Sequence, residues 1–148
     1  MATLTPTLTL SSTDVFADQP LNLSVTDSLT VQAPMTDISR MNTDDIVVSG
    51  SAAGIILVET VSTDVYYVYI KHTGLQSDGV AAATASDYII ITNADGDTDF
   101  ARLYPGEFCF FPLNPMEGAD GGIETGGLKV EAASSEVQIN YAYWKRTA

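Results

Sequence analysis

The stretch Phe100–Leu113, FARLYPGEFCFFPL, constrains this chain more than any other. Pro105-Gly106 is a turn with a mechanism. Proline presets φ at the first central position, and glycine takes the positive φ that a type II turn requires at the second. Phe100–Tyr104 suits a short strand before the turn, and Glu107–Phe111 suits an aromatic strand after it, buried on both faces. Pro112 ends the second run, because proline donates nothing to a sheet ladder. The expectation is strand, turn, strand.

The rest of the chain offers partners of the same kind. Thr3–Thr13 alternates Thr with Leu, setting Leu4, Leu8 and Leu10 on one side, and Pro6 makes residues 1–13 an edge strand or an N-terminal arm. Leu21–Gln32 alternates again, as one long strand or two broken near Asp27-Ser28. Pro34–Asp45 is the single helical expectation, with Met35, Ile38 and Met41 recurring at threes. Ile46–Ser49 reads as a short strand. Ile55–Val61 and Val65–Lys71 read as a hairpin through Ser62-Thr63-Asp64. In its second arm Val65, Tyr67, Tyr69 and Lys71 face one way, and Tyr66, Val68 and Ile70 the other. His72–Ser86 reads as a loop, Tyr88–Thr92 as a buried strand, and Asn93–Asp99 as the turn into the following hairpin. Leu113–Gly127 reads as a long acidic, glycine-rich loop. Leu128–Ala132 and Val137–Trp144 are the last strands, with Val137, Ile139, Tyr141 and Tyr143 on one face. Eight to ten short strands with one short helical turn specify an all-β chain. The architecture expected is a single β-sandwich domain over residues 1–148, jelly-roll-like.

Charge narrows the partners. With 19 acidic and 6 basic residues the formal net charge is −13. Phosphate contacts need clustered Lys and Arg, so neither nucleic acid nor an anionic membrane is an expected partner. Cys109 is the single cysteine and permits no intrachain disulfide. Met1–Pro6 has no basic region followed by a long apolar run, so it reads as no secretory signal, and synthesis in a cytosol is expected.

No catalytic constellation stands out. Asn93-Ala94-Asp95-Gly96-Asp97-Thr98-Asp99 resembles a calcium loop in composition, but ligand spacing fails at Ile91 and Arg102, and an Asp-Gly hairpin turn is the better reading. His72 is the sole histidine, too few for a cupin-type metal site, and is read as exposed at a loop mouth. Cys109, between Phe108 and Phe110, is read as a small buried hydrophobe. Tyr66 and Tyr67 point to opposite faces, so one of them is a candidate for exposure. No cofactor and no metal are expected.

Tyr66-Tyr67-Val68-Tyr69-Ile70-Lys71-His72-Thr73, Tyr88–Thr92, Leu103–Leu113 and Val137–Trp144 together carry a resemblance. In the VYIKHT form of the first, the Leu-Tyr-Pro-Gly-Glu turn, the apolar strand ending in proline and the closing strand, the second half of the chain resembles small structural proteins of tailed bacteriophages, particularly those of aquatic hosts. The resemblance implies a virion component without enzyme activity. Such components include capsid cement (decoration) proteins, many of them homotrimers that bind the major capsid protein at the capsid surface. The alternative is a tail- or fibre-associated module that binds a receptor or glycan through exposed Tyr66 or Trp144. A third class, a β-sandwich enzyme or metal-dependent lectin, has less in the residues to support it. Candidate interface residues are Leu4, Leu8 and Leu10 on the arm, Tyr66, Leu113 and Met116, and Trp144, Lys145 and Arg146 at the C-terminal end. Arg40, Lys71, Arg102 and Lys129 join the last two as cations for an acidic capsid surface.

Overall fold

A computed structural model describes residues 2–13, 20–32, 40–50, 54–58, 65–94, 96, 98–114, 116–117, 123–124 and 127–146. Every regular element among them is a strand. The chain divides into two compact units, residues 1–34 and 35–146, with Thr147 grouped with the first and Ala148 with the second.

The first unit is a two-stranded antiparallel ribbon. β1 (Ala2–Leu4) pairs with β4 (Leu29–Val31), and β2 (Thr7–Ser12) pairs with β3 (Leu21–Thr26). Pro6 does not end the ladder. Its carbonyl accepts the Asp27 N–H at 3.1 Å, which carries the register across the break.

The second unit holds two four-stranded antiparallel sheets around one core. The first sheet runs β10 (Phe108–Leu113), β7 (Tyr66–Gln76), β14 (Val137–Lys145), β5 (Arg40–Val47). The second runs β6 (Ile55–Val58), β13 (Leu128–Ala132), β8 (Ile89–Asn93), β9 (Asp99–Leu103). Period-two alternation builds the core. Tyr66, Val68 and Ile70 of β7 and Val137, Ile139, Tyr141 and Tyr143 of β14 are buried, as both expected faces required. The second sheet contributes Ile89, Ile91, Leu103, Leu128, Val130 and Ala132 to the same cluster. The Tyr66 and Tyr143 rings meet edge-on inside it, centroids 5.7 Å apart at 82°. A β-sandwich is the architecture.

Several local expectations change. Arg40–Val47 is a strand, not helix, because its residues pair with β14 from Val137↔Val47 to Tyr143↔Arg40; residues 34–39 of that reading lie outside the described residues. Ile55–Val58 and Tyr66–Gln76 are not hairpin partners, since they belong to different sheets; Ser62-Thr63-Asp64 lies outside the described residues. The same holds for β9 and β10. The turn between them forms as expected, with Glu107 N–H donating to Tyr104 O at 3.0 Å and Gly106 at φ 89°, but it passes the chain from one sheet to the other. β10 is therefore an edge strand, not a strand buried on both faces. The long loop contains a short ladder, β11 (Met116–Glu117) with β12 (Ile123–Glu124). The β8–β9 hairpin is as expected: Asn93 Oδ1 accepts the N–H groups of Gly96 and Thr98, at 3.0 and 3.1 Å. Asp95 and Asp97 lie outside the described residues.

Candidate functional site

Cross-strand neighbours share a face, so the ladder registers show what the first sheet presents outward. Phe108 lies opposite Lys71, Phe110 opposite Tyr69, and Pro112 opposite Tyr67. On the other side of β7, Asn140, Ala142 and Trp144 lie opposite Lys71, Tyr69 and Tyr67. The outer surface of β10, β7 and β14 thus carries Phe108, Phe110, Tyr67, Tyr69 and Trp144 together. Phe108 remains 56% exposed and Phe110 38%.

The rings are organised in diagonal pairs. Tyr67 stacks on Phe110 with centroids 6.0 Å apart and planes at 13°, and Tyr69 meets Phe108 at 6.1 Å and 39°. The Arg146 guanidinium sits 5.1 Å from the Tyr67 centroid. Two bonds position the residue: the Arg146 main-chain N–H donates to Val65 O at 2.8 Å, and the guanidinium Nη1 donates to Asn114 Oδ1 at 3.3 Å. Of the nine residues of β7, β10 and β14 named above, Ala142 is buried and none is a carboxylate. On a chain of net charge −13, this is a local reversal of character. Flat rings flanked by Lys71 and Arg146 can stack on planar or apolar groups and meet a negative rim. They offer no nucleophile.

The inward face of the same sheet ends in a polar node. His72 is fully buried, not exposed at a loop mouth, because β7 runs on to Gln76 and the following loop folds back on it. Its Nδ1 accepts the Gly74 N–H at 3.0 Å, and its Nε2 lies 2.7 Å from Asp87 O. Those partners select the neutral tautomer protonated at Nε2 and leave neither ring nitrogen free as a base. The Asp87 carboxylate accepts from Thr84 N–H and Oγ1 at 2.8 and 2.7 Å and from Ser134 Oγ at 2.8 Å. The Thr84 N–H, then its hydroxyl, then Ser134 and Ser135 hold that carboxyl well below its ordinary value. His72 meets the main-chain carbonyl of Asp87 rather than its carboxylate, so no serine-histidine-carboxylate relay forms here. The node fastens residues 77–88 to the sheet.

The sequence-predicted interface residues scatter. Tyr66 is 2% exposed and Leu113 is equally a core residue; both side chains point into the sandwich and cannot meet a partner. Tyr67, one residue on, is the ring that faces outward. Trp144 and Arg146 do lie on the aromatic face, and Lys145 is half-buried at the end of β14. Leu4 is half-buried and Leu8 and Leu10 are exposed, all on the N-terminal unit. The Met116 and Arg40 side chains lie outside the described residues. Of the other cations, Arg102 sits 4.4 Å over the Tyr88 ring, and Lys129 is buried rather than available. Cys109 is half-buried against the core, and burial pushes its thiol up to about 11, against a smaller opposing hydrogen bond from Ile70. Phe108 and Phe110 escaped sequence reasoning because Phe111 follows them: aromatics at both parities hide the alternation that would have marked one face outward. Among the described residues no group of three or more His, Cys, Asp and Glu could hold a metal ion. No protein-family model matches the chain, and comparison with curated proteins finds no match.

Proposed function

We propose that the chain is a non-enzymatic structural component of a bacteriophage virion. In this reading it is a capsid cement (decoration) protein that binds the major capsid protein at the capsid surface as a homo-oligomer, in the homotrimeric arrangement that the resemblance implies. The observation that carries this reading is the aromatic, carboxylate-free face of β10, β7 and β14 on an otherwise strongly acidic chain. Exposed, paired aromatic rings are the anchors that dominate protein–protein interfaces. The strand wiring supports it. Counted in chain order within the second unit, without the short β11–β12 ladder, the sixth, third, eighth and first strands form one sheet. The second, seventh, fourth and fifth form the other. We read this order as an eight-stranded jelly roll, an architecture shared by viral capsid and lectin domains.

Binding alone is the mechanism. Tyr67, Tyr69, Phe108 and Phe110 bury against a neighbouring capsid subunit, and Lys71 and Arg146 meet carboxylates at the rim, which makes attachment moderately sensitive to salt. The test is co-sedimentation with shells of the encoding virus that lack the protein. Replacing both Phe108 and Phe110 with Ser is expected to weaken binding at least tenfold in a chain that still unfolds cooperatively, with a midpoint lowered by the loss of two half-exposed ring pairs. Unchanged binding refutes the assignment of the face. The same exposed rings also suit sugar stacking. Glycan-array binding that the same double substitution abolishes, with no capsid binding, replaces the cement reading with the glycan-binding one.

A further inference from the structure

The N-terminal unit carries a second surface, made by different residues. Its register runs from Ala2↔Val31 through Thr7↔Thr26 to Ser12↔Leu21 without a slip. Cross-strand partners share a face, so the ribbon is sorted completely. Around β2 and β3, one face holds Leu8 opposite Val25 and Leu10 opposite Leu23. The other is a hydroxyl ladder, with Thr7 Oγ1 3.2 Å from Thr26 Oγ1 and Thr9 Oγ1 3.5 Å from Ser24 Oγ. Leu8, Leu10, Leu23 and Val25 are 41–50% exposed.

We infer that this apolar face packs against the same face of a second copy of the chain, ribbon on ribbon. An isolated two-stranded ribbon is marginal in water and gains stability when one face is covered. Charge selects the occupant. Asp14, Asp18 and Asp27 are the only charged residues among the first 34, and none lies between Leu8 and Leu10 or between Leu21 and Val25. For a chain of net charge −13, self-association meets like-charge repulsion across most of its surface and escapes it on an uncharged strip. A charged partner finds nothing on this strip to pair with, whereas an identical strip matches it in polarity and closes by two-fold symmetry. The four side chains expose roughly 300 Å² per copy, against about 800 Å² per partner in a standard interface. The contact is therefore weak between free chains and firm where copies are held side by side. A two-fold contact of this kind joins one oligomer of the reading above to the next rather than building its trimer, and it stands or falls separately from attachment to a shell.

The test uses the full chain with Cys109→Ala, so that an introduced thiol is the only one. Leu10→Cys and Thr9→Cys occupy neighbouring positions on opposite faces of the ribbon. Treated with a short bismaleimide, Leu10→Cys is expected to give cross-linked dimer at least fivefold more efficiently than Thr9→Cys. In light scattering the unmodified chain is expected to rise from the single-chain mass of 15.7 kDa as concentration increases. Leu10→Asp with Leu23→Asp abolishes that rise, and the Phe108→Ser, Phe110→Ser variant retains it. Equal cross-linking from both faces overturns the inference. So does a single-chain mass at every concentration up to roughly 1 mM, where an association of only about 4 kcal/mol is half complete, including the case where the strip then binds a different protein.

Discussion

His72→Leu is the most informative single substitution in the sandwich. The imidazole is fully buried and bridges Gly74 N–H and Asp87 C=O, and leucine fills similar space while bonding neither. Each buried polar group left without a partner costs about 1–3 kcal/mol, so two cost about 2–6 kcal/mol. The added apolar burial returns about 1 kcal/mol, and local opening that admits water brings the loss toward the lower end. A net destabilisation of about 2–4 kcal/mol results, a large share of the 5–15 kcal/mol typical of a domain. Urea unfolding followed by the fluorescence of Trp144, the only tryptophan, reads it directly. With a slope of about 2 kcal/mol per molar, the midpoint falls by roughly 1–2 M at unchanged slope. Amide exchange at Gly74 accelerates more than at Ile70, which keeps its place in the β7 ladder. An unchanged midpoint, with Gly74 still protected, refutes the claim that the two bonds fasten residues 77–88 to the sheet.

Three further outcomes follow from the same geometry. Gly106→Ala destabilises by about 1–2 kcal/mol in urea titration, because φ is 89° and nothing lies within 4 Å of an added Cβ, which makes backbone strain the whole effect. The Asp87 carboxyl is held below its ordinary value of 3.8 by the Thr84 N–H first and then by the Thr84, Ser134 and Ser135 hydroxyls, so its contribution is complete above that pH and is lost as pH falls below it. Acid unfolding curves of Asp87→Asn are therefore expected to be flatter than those of the parent below about pH 4, and parallel curves refute this. Burial raises the Cys109 thiol to about 11, so a disulfide reagent at pH 8 labels the native chain slowly and the urea-unfolded chain at the rate of a free thiol; equally fast labelling of both contradicts the half-buried placement.

Local pattern was a good guide to single strands and a poor one to their neighbours. The two alternating faces of Tyr66–Lys71 and the shared face of Val137, Ile139, Tyr141 and Tyr143 were readable because a half-buried strand writes its burial at period two. The Pro105-Gly106 turn was readable because only glycine sits comfortably at φ 89°. The partners of the flanking strands were not, since a turn sets a change of direction and not which sheet receives the next strand. The supposed hairpin between Ile55–Val61 and Val65–Lys71 failed for the same reason. Met35, Ile38 and Met41 suggested a helix at threefold spacing, yet Arg40–Val47 found a ladder beside β14, and pairing outweighs a weak local period. His72 looked like a loop residue because its partners, Gly74 N–H and Asp87 C=O, are main-chain groups that no side-chain pattern announces.

The sequence by itself determined that this is a β protein, that the chain turns at Pro105-Gly106 and after Asn93, which residues of its longest strands face inward, and that the chain is strongly acidic. Those properties are local or additive, carried by residue parity, by the φ of proline and glycine, and by charge count. Only the tertiary structure decided that β9 and β10 part into different sheets, that Tyr67 and not Tyr66 faces outward, and that Phe108 and Phe110 share a surface with Trp144. Each of those depends on which distant strand lies alongside, because burial is set by the pairing of segments far apart in the chain and not by the residues within either one.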